Sequence, residues 1–133
     1  MARPRVVVDT NVLVSAWLFG GNPRTILELV LNNQIEGVTS PQLLSELSDV
    51  LLKKFNFSAA KTRAVERKIK DRFEIVQPKS SIAILKDEGD NRVLEAAVTG
   101  RCHFIITGDK ELLALKKFRK VAIISPEDFL KGA

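Results

Sequence analysis

The sequence predicts an α/β fold: a central, mainly parallel five-stranded sheet with helices on both faces. Three observations predict it. Short apolar runs alternate with stretches of helical periodicity along the whole chain. In the first run, Arg5-Val6-Val7-Val8, the three valines are apolar at consecutive positions, as a strand covered on both faces requires. The composition, 45% hydrophobic and 28% charged, is that of an ordinary globular chain.

The first strand is followed by Asp9, Thr10 and Asn11. Val12 to Phe19 reads as a short helix, stopped by Gly20-Gly21-Asn22-Pro23. Pro23 opens a second helix, in which Ile26, Leu27, Val30 and Leu31 recur at helical spacing. Glu36 to Thr39 is a second strand. Ser40-Pro41 starts a third helix, with Ser40 as N-cap and an apolar stripe of Leu43, Leu44, Leu47, Val50 and Leu51. At about 100° per residue, Glu46 sits at the edge of that stripe and leans over the rim of the core, while Asp49 turns toward solvent. Ser58 caps a basic helix over 59–73, with Val65, Ile69 and Phe73 facing in. Glu74-Ile75-Val76 is a third strand. The acidic turn Asp87 to Asn91 opens a helix that Gly100 closes. His103 to Thr107 is a fourth strand, followed by Gly108-Asp109 and a short helix. Lys116 to Lys120 reads as a basic loop, Val121 to Ile124 as a fifth strand, and Ser125-Pro126 as the cap of a last short helix.

At 133 residues, the chain is expected to form one domain, 1–133. No apolar run approaches the roughly 20 residues of a membrane span. Met1-Ala2-Arg3-Pro4 leads straight into the first strand and leaves no room for a signal peptide. Cys102 is the only cysteine, which fits a cytoplasmic protein without internal disulfides. The net charge of +5 is uneven. Residues 51–80 carry 9 basic and 3 acidic side chains, against 3 and 5 in residues 1–50. Such an excess suits an anionic partner, nucleic acid being the commonest, or simply a solvated helix.

The informative residues are acids at element ends. Asp9 follows the first strand, Asp109 follows the fourth, and Asp90 starts the helix between them. In open parallel sheets, ligands bind at the carboxyl ends of the strands. If the first and fourth strands are neighbours, these acids converge, and Glu46 joins from the third helix. Each aspartate could instead be an N-cap worth about 1 kcal/mol. Four carboxylates in one cleft repel, by roughly 4 kcal/mol for each pair at about 4 Å and an effective dielectric of about 20. Either some protonate or a divalent cation sits among them. Oxygen-only ligands suit Mg²⁺ or Mn²⁺, and with only His103 and Cys102 as softer donors a zinc site is not expected. Carboxylate-held metal with a basic surface points to phosphodiester chemistry.

Other aspartate-based folds fit less well. Haloacid-dehalogenase-type phosphatases want an acid at the position of Asn11. Response-regulator receivers want an acid after the third strand, which here runs into Gln77-Pro78. No G-x-G-x-x-G or Walker loop is present.

Four blocks together resemble the PIN domain family, of the VapC-like kind found among toxin–antitoxin ribonucleases. They are Val7 to Leu13 with Ser15-Ala16, Ser40-Pro41 with Leu44 to Leu47, Asp90-Asn91 with Leu94 to Ala97, and Ile106 to Leu113. The resemblance implies a three-layer α/β/α sandwich and a Mg²⁺- or Mn²⁺-dependent endoribonuclease. It implies that Asp9, Glu46, Asp90 and Asp109 form the catalytic, metal-binding quartet, with Thr10, Asn11 and Thr107 supporting it. RNA as substrate, an antitoxin as partner and a homodimer are further implications. One departure is visible: similar turns in relatives carry an acid where this chain has Gly89, which leaves the roles of Asp87 and Glu88 open.

Among the cations, Lys53, Lys61, Arg63, Arg67 and Lys110 are the candidates for contacting nucleic acid. The basic run equally suits an acidic antitoxin segment. His103 and Cys102 read as structural, and Trp17 with Phe19 as core or subunit interface. Two alternatives to the ribonuclease are a catalytically silent PIN-like module that binds RNA or an antitoxin, and a nuclease acting on structured DNA.

Overall fold

The computed structural model describes residues 3–132; Met1 and Ala2, read above as leading into the first strand, lie outside them. The valine strand β1 (Arg5–Val8) lies near the middle of a six-stranded sheet. On one side it pairs in parallel with β2 (Glu36–Thr39), which in turn pairs with β3 (Phe73–Ile75). On the other side it pairs in parallel with β4 (Phe104–Ile106), and β4 with β6 (Val121–Ile124). The two-residue β5 (Lys117–Phe118) closes that edge, antiparallel to β6.

Five strands were expected and six are found. The additional one lies inside the stretch read as a basic loop. It is two residues long, charged at its first position, and its turn carries Arg119-Lys120 instead of the glycine or asparagine that signals a tight hairpin. No apolar alternation could therefore have marked it.

Side-chain alternation divides the core in two. Val6 and Val8 point to a layer formed by α1 (Thr10–Leu18), α2 (Gly21–Leu31), α3 (Pro41–Lys53) and α4 (Ala59–Arg72). Val7 points the other way, to α5 (Glu88–Thr99) and α6 (Lys110–Leu115). Val6 and Val7 are wholly buried. Each contributes roughly 1.5–3 kcal/mol by leaving water. The result is the three-layer α/β/α sandwich. A last helix, α7 (Pro126–Leu130), rests on α2, with Phe129 meeting Phe104 edge-on at 5.5 Å.

The serine caps act as expected. Ser40, Ser58 and Ser125 accept from the backbone N–H of Leu43, Lys61 and Asp128 at 3.2, 3.1 and 3.1 Å. Boundaries shift slightly. α1 begins at Thr10 rather than Val12, and β3 begins at Phe73, which the periodicity had assigned to the preceding helix. Trp17 packs against the first core, whereas Phe19 is 77% exposed. His103 accepts the Arg5 N–H on Nδ1 at 2.9 Å and so ties β4 to β1. Among the described residues, no helix is long and apolar enough to cross a membrane.

Candidate functional site

Register brings the acids together. Val8 lies opposite Ile106, so Asp9 and Thr107 leave neighbouring strands side by side. The Asp9 N–H continues the ladder to the Ile106 carbonyl at 3.0 Å. Asp9 stands at the N-cap position of α1, yet its carboxylate caps nothing there. Instead its Oδ2 accepts from the Thr107 hydroxyl at 2.7 Å. The same Thr107 oxygen accepts from the Asp109 N–H at 3.0 Å. One wholly buried hydroxyl therefore positions two acids.

Glu46 arrives from α3. The buried Thr10 hydroxyl donates to its Oε1 at 2.6 Å. Its other oxygen, Oε2, crosses to the first turn of α5, where a Cβ on Gly89 would stand only 2.6 Å from it. The space left by the missing side chain is the space the Glu46 carboxylate uses.

The start of α5 differs from expectation. Asp87, not Asp90, is its N-cap and accepts the Asp90 N–H at 3.2 Å. The Asp87-x-x-Asp90 spacing is a capping-box pattern with an acid at the third helical position, and it was there to be read. Asp90 is thereby freed. It is 7% exposed, and its Oδ2 is buried with no hydrogen-bond partner. Asp109 does cap its helix, accepting the Leu112 N–H at 3.0 Å on Oδ1.

Burial pushes the Asp9 carboxyl above the usual carboxylate range. The Thr107 hydroxyl opposes that shift, and Glu46 and Asp109 add to it. Burial, then the charges of Asp109, Asp87 and Asp9, raise Asp90 to about 7. Among the described residues, no three His, Cys, Asp or Glu side chains are already drawn together as a metal ion would hold them. The donor set still fits a hard divalent cation. Its donors are all oxygens, and one of them, on Asp90, is buried and lacks any partner that could offset its desolvation.

Asp90, Asp109 and Asp87 line a cleft of about 870 Å³, walled by Lys86 and Lys110. Asn11 also faces it, exposed, but makes no side-chain hydrogen bond to any of the four acids among the described residues. Lys110 thus stands beside the acids, whereas Lys53, Lys61, Arg63 and Arg67 are exposed on α3 and α4 and do not line the cleft. Lys86 was not singled out in the sequence. It owes its place to a strap. The segment 82–87 lies on α5, held by two buried side chains. Asn91 donates to the Leu85 carbonyl at 2.8 Å and accepts from Leu85 and Ile84 at 3.0 and 3.3 Å. Glu95 accepts from Ile82 at 2.8 Å.

The comparisons agree with this architecture. The family model for the PIN domain matches residues 5–111. The uncharacterized protein MJ1680 of Methanocaldococcus jannaschii is 29% identical, over 96% of this chain and 90% of its own length. Among solved structures, the chain resembles VapBC2 from Rickettsia felis, bound to a DNA fragment from their promoter. The TM-score is 0.64 at 16% identity, with 91% of this chain and 98% of that one covered. FitAcB from Neisseria gonorrhoeae matches with a TM-score of 0.54 at 16% identity, covering 92% and 98%. The PIN domain endonuclease Utp24 matches at 0.51 and 22% identity, covering 91% and 84%. At these identities the solved structures speak to the fold, and the family model speaks to descent. The chain belongs to the PIN domain family.

Proposed function

We propose that this protein is a Mg²⁺- or Mn²⁺-dependent endoribonuclease, the toxin member of a toxin–antitoxin pair acting in the cytoplasm. The observation that carries the reading is the unpartnered, buried Asp90 oxygen in a cleft that it shares with Asp109, with Asp9 joined to Asp109 through the Thr107 hydroxyl and Glu46 reaching the first turn of α5. Membership of the PIN family and the likeness to VapBC2, FitAcB and the endonuclease Utp24 support it.

Asp9, Glu46, Asp90 and Asp109 would hold the cation. When bound, it supplies positive charge against the phosphate and acidifies a water molecule. The remaining work falls to the chain. Thr107 and Thr10 each donate a hydrogen bond that orients the Asp9 and Glu46 carboxylates. Lys86 and Lys110 offset the repulsion between a phosphodiester and the acids. Phe19, the most exposed large apolar side chain among the described residues, is one that a homodimer would cover.

One observation favours a second reading, a PIN module that holds RNA or an antitoxin without turnover: the carboxylates are not drawn together around one point. Incubation with matched RNA and DNA oligonucleotides in Mn²⁺ separates the readings. Cleavage of RNA by the wild type, and its loss in a folded Asp9→Asn variant, is the expected outcome. Full activity of Asp9→Asn would remove the quartet from the mechanism. Cleavage of DNA alone would change the substrate.

A further inference from the structure

A second cavity, of about 540 Å³, lies at the opposite end of the sheet, where β4 begins. Its floor is apolar: Ala97, Val98, Cys102 and Val121. Burial raises the Cys102 thiol to about 12, so the floor carries no charge near neutral pH. Its rim is Arg101, Arg119, Lys120 and His103. No acid lines it, and among the described residues none of these three cations forms an ion pair. The Arg119 guanidinium is held 5.0 Å above the Phe118 ring. His103 has Nδ1 occupied by the Arg5 N–H, which leaves an Nε2–H to donate when the ring is neutral.

The backbone gives an independent sign. Among the described residues, five non-glycine residues adopt positive φ: Asn33, Asn56, Arg101, Lys116 and Arg119. Asparagine is an ordinary occupant of that region, whereas a long cationic side chain is not. Three such cations are found, Arg101, Lys116 and Arg119, with φ of 53°, 60° and 55°, and the two arginines lie on the cavity rim. Glycine or asparagine would relieve the backbone at each. Their presence points to something the side chains do, since a departure from the favoured residue is where function is to be sought.

From this geometry we infer a nucleotide-binding site: a phosphate held by Arg101, Arg119 and Lys120, with the base laid on the apolar floor beside His103. A volume within the ~300–1,000 Å³ of ligand pockets, an uncharged floor and a rim with three cations and no acid suit a flat base that carries a phosphate. The source is either a free nucleotide or a nucleotide within single-stranded RNA. In the second case the strand passes round the molecule, since His103 and Thr107 stand at opposite ends of β4, roughly 13 Å apart. The inference does not depend on the acidic cleft having any activity.

The test uses the full chain with EDTA, so that no cleavage interferes. Backbone amides of Ala97, Val98 and Val121 are followed by NMR during titration with AMP, UMP, inorganic phosphate and an RNA octamer. The expected result is saturable shifts with the mononucleotides, or with the octamer alone if the strand is the source. Binding should weaken at least tenfold in the Arg101→Gly, Arg119→Gly double variant. Glycine suits both backbones, so the melting temperature of that variant should be unchanged or higher, which keeps loss of binding distinct from loss of fold. Equal affinity for inorganic phosphate and AMP would overturn the role of the floor. The site is refuted if nothing binds, if an acidic peptide binds where nucleotides do not, or if the double variant binds like the wild type.

Discussion

Gly89 shows how much one missing side chain can decide. At this position of a helix's first turn, alanine is intrinsically favoured by up to about 1 kcal/mol. The added Cβ would meet Glu46 Oε2 at 2.6 Å and Asp87 Oδ1 at 3.0 Å, both at the ends of side chains that can swing away. Because Asp87 Oδ1 caps α5, moving it offsets the propensity gain, so Gly89→Ala should leave the melting temperature little changed or lower while weakening Mn²⁺ binding, because Glu46 is displaced. Calorimetry beside a thermal melt checks both, and unchanged Mn²⁺ affinity would show that the Glu46 position is not needed. Thr107→Val removes the hydroxyl that serves Asp9 and Asp109, and should cost roughly 1–3 kcal/mol by leaving buried groups unpaired. These residues were unequally legible. Asp9, Asp90 and Asp109 stood out because they sit at element ends in a parallel-sheet pattern. Gly89 could be seen only as a departure, since which carboxylate approaches it depends on α3 crossing to α5. The Asn11 side chain, which the resemblance grouped with Thr10 and Thr107 as support for the acids, lines the cleft instead of bonding to them.

At the scale of elements, the strap over α5 is the least expected feature. Segment 82–87 has no regular structure of its own and depends on Asn91 and Glu95 for its position. Asn91→Ala should lower hydrogen-exchange protection at the Leu85 amide and cost roughly 1–3 kcal/mol. Protection equal to the wild type would mean that the strap is held by Ile82 and its packing alone. Since the strap carries Lys86 to the cleft, Lys86→Ala should reduce the salt dependence of RNA binding by about one counterion, with little change in metal affinity. The same change in Arg63 or Arg67, on α4 and outside the cleft, should have the smaller effect. The strands and helices with regular periodicity were legible from the sequence. The strap and the β5–β6 hairpin were not, because side-chain hydrogen bonds and a charged two-residue strand leave no periodic trace.

For the whole molecule, assembling the acids has a consequence for stability. Asp90 rises from 3.8 to about 7 on folding, so over that range the folded state holds more protons than the unfolded state. Stability from this group is fully present below about pH 4 and is lost as pH rises toward 7. Asp90→Asn should abolish this loss, so the variant gains on the metal-free wild type across that window. Urea unfolding of both proteins at each end of the range measures it, and a constant difference would contradict the shift. A bound cation should offset the same penalty. The sandwich supports the arrangement through two cores on opposite faces of the valine strand, of whose buried residues only Val12 also lines the cleft. That division follows from the alternation of Val6, Val7 and Val8 and was implicit in the opening residues of the chain.

The central claim is that four carboxylates, three at the ends of β1, α5 and β4 and one from the middle of α3, hold one divalent-cation centre. Calorimetric titration with Mn²⁺ tests it most directly, on the wild type and on folded Asp9→Asn and Asp90→Asn variants. Saturable binding by the wild type, lost in both variants, is the expected result. A wild type that takes up no Mn²⁺ at millimolar concentration, or variants that bind it equally well, would contradict it.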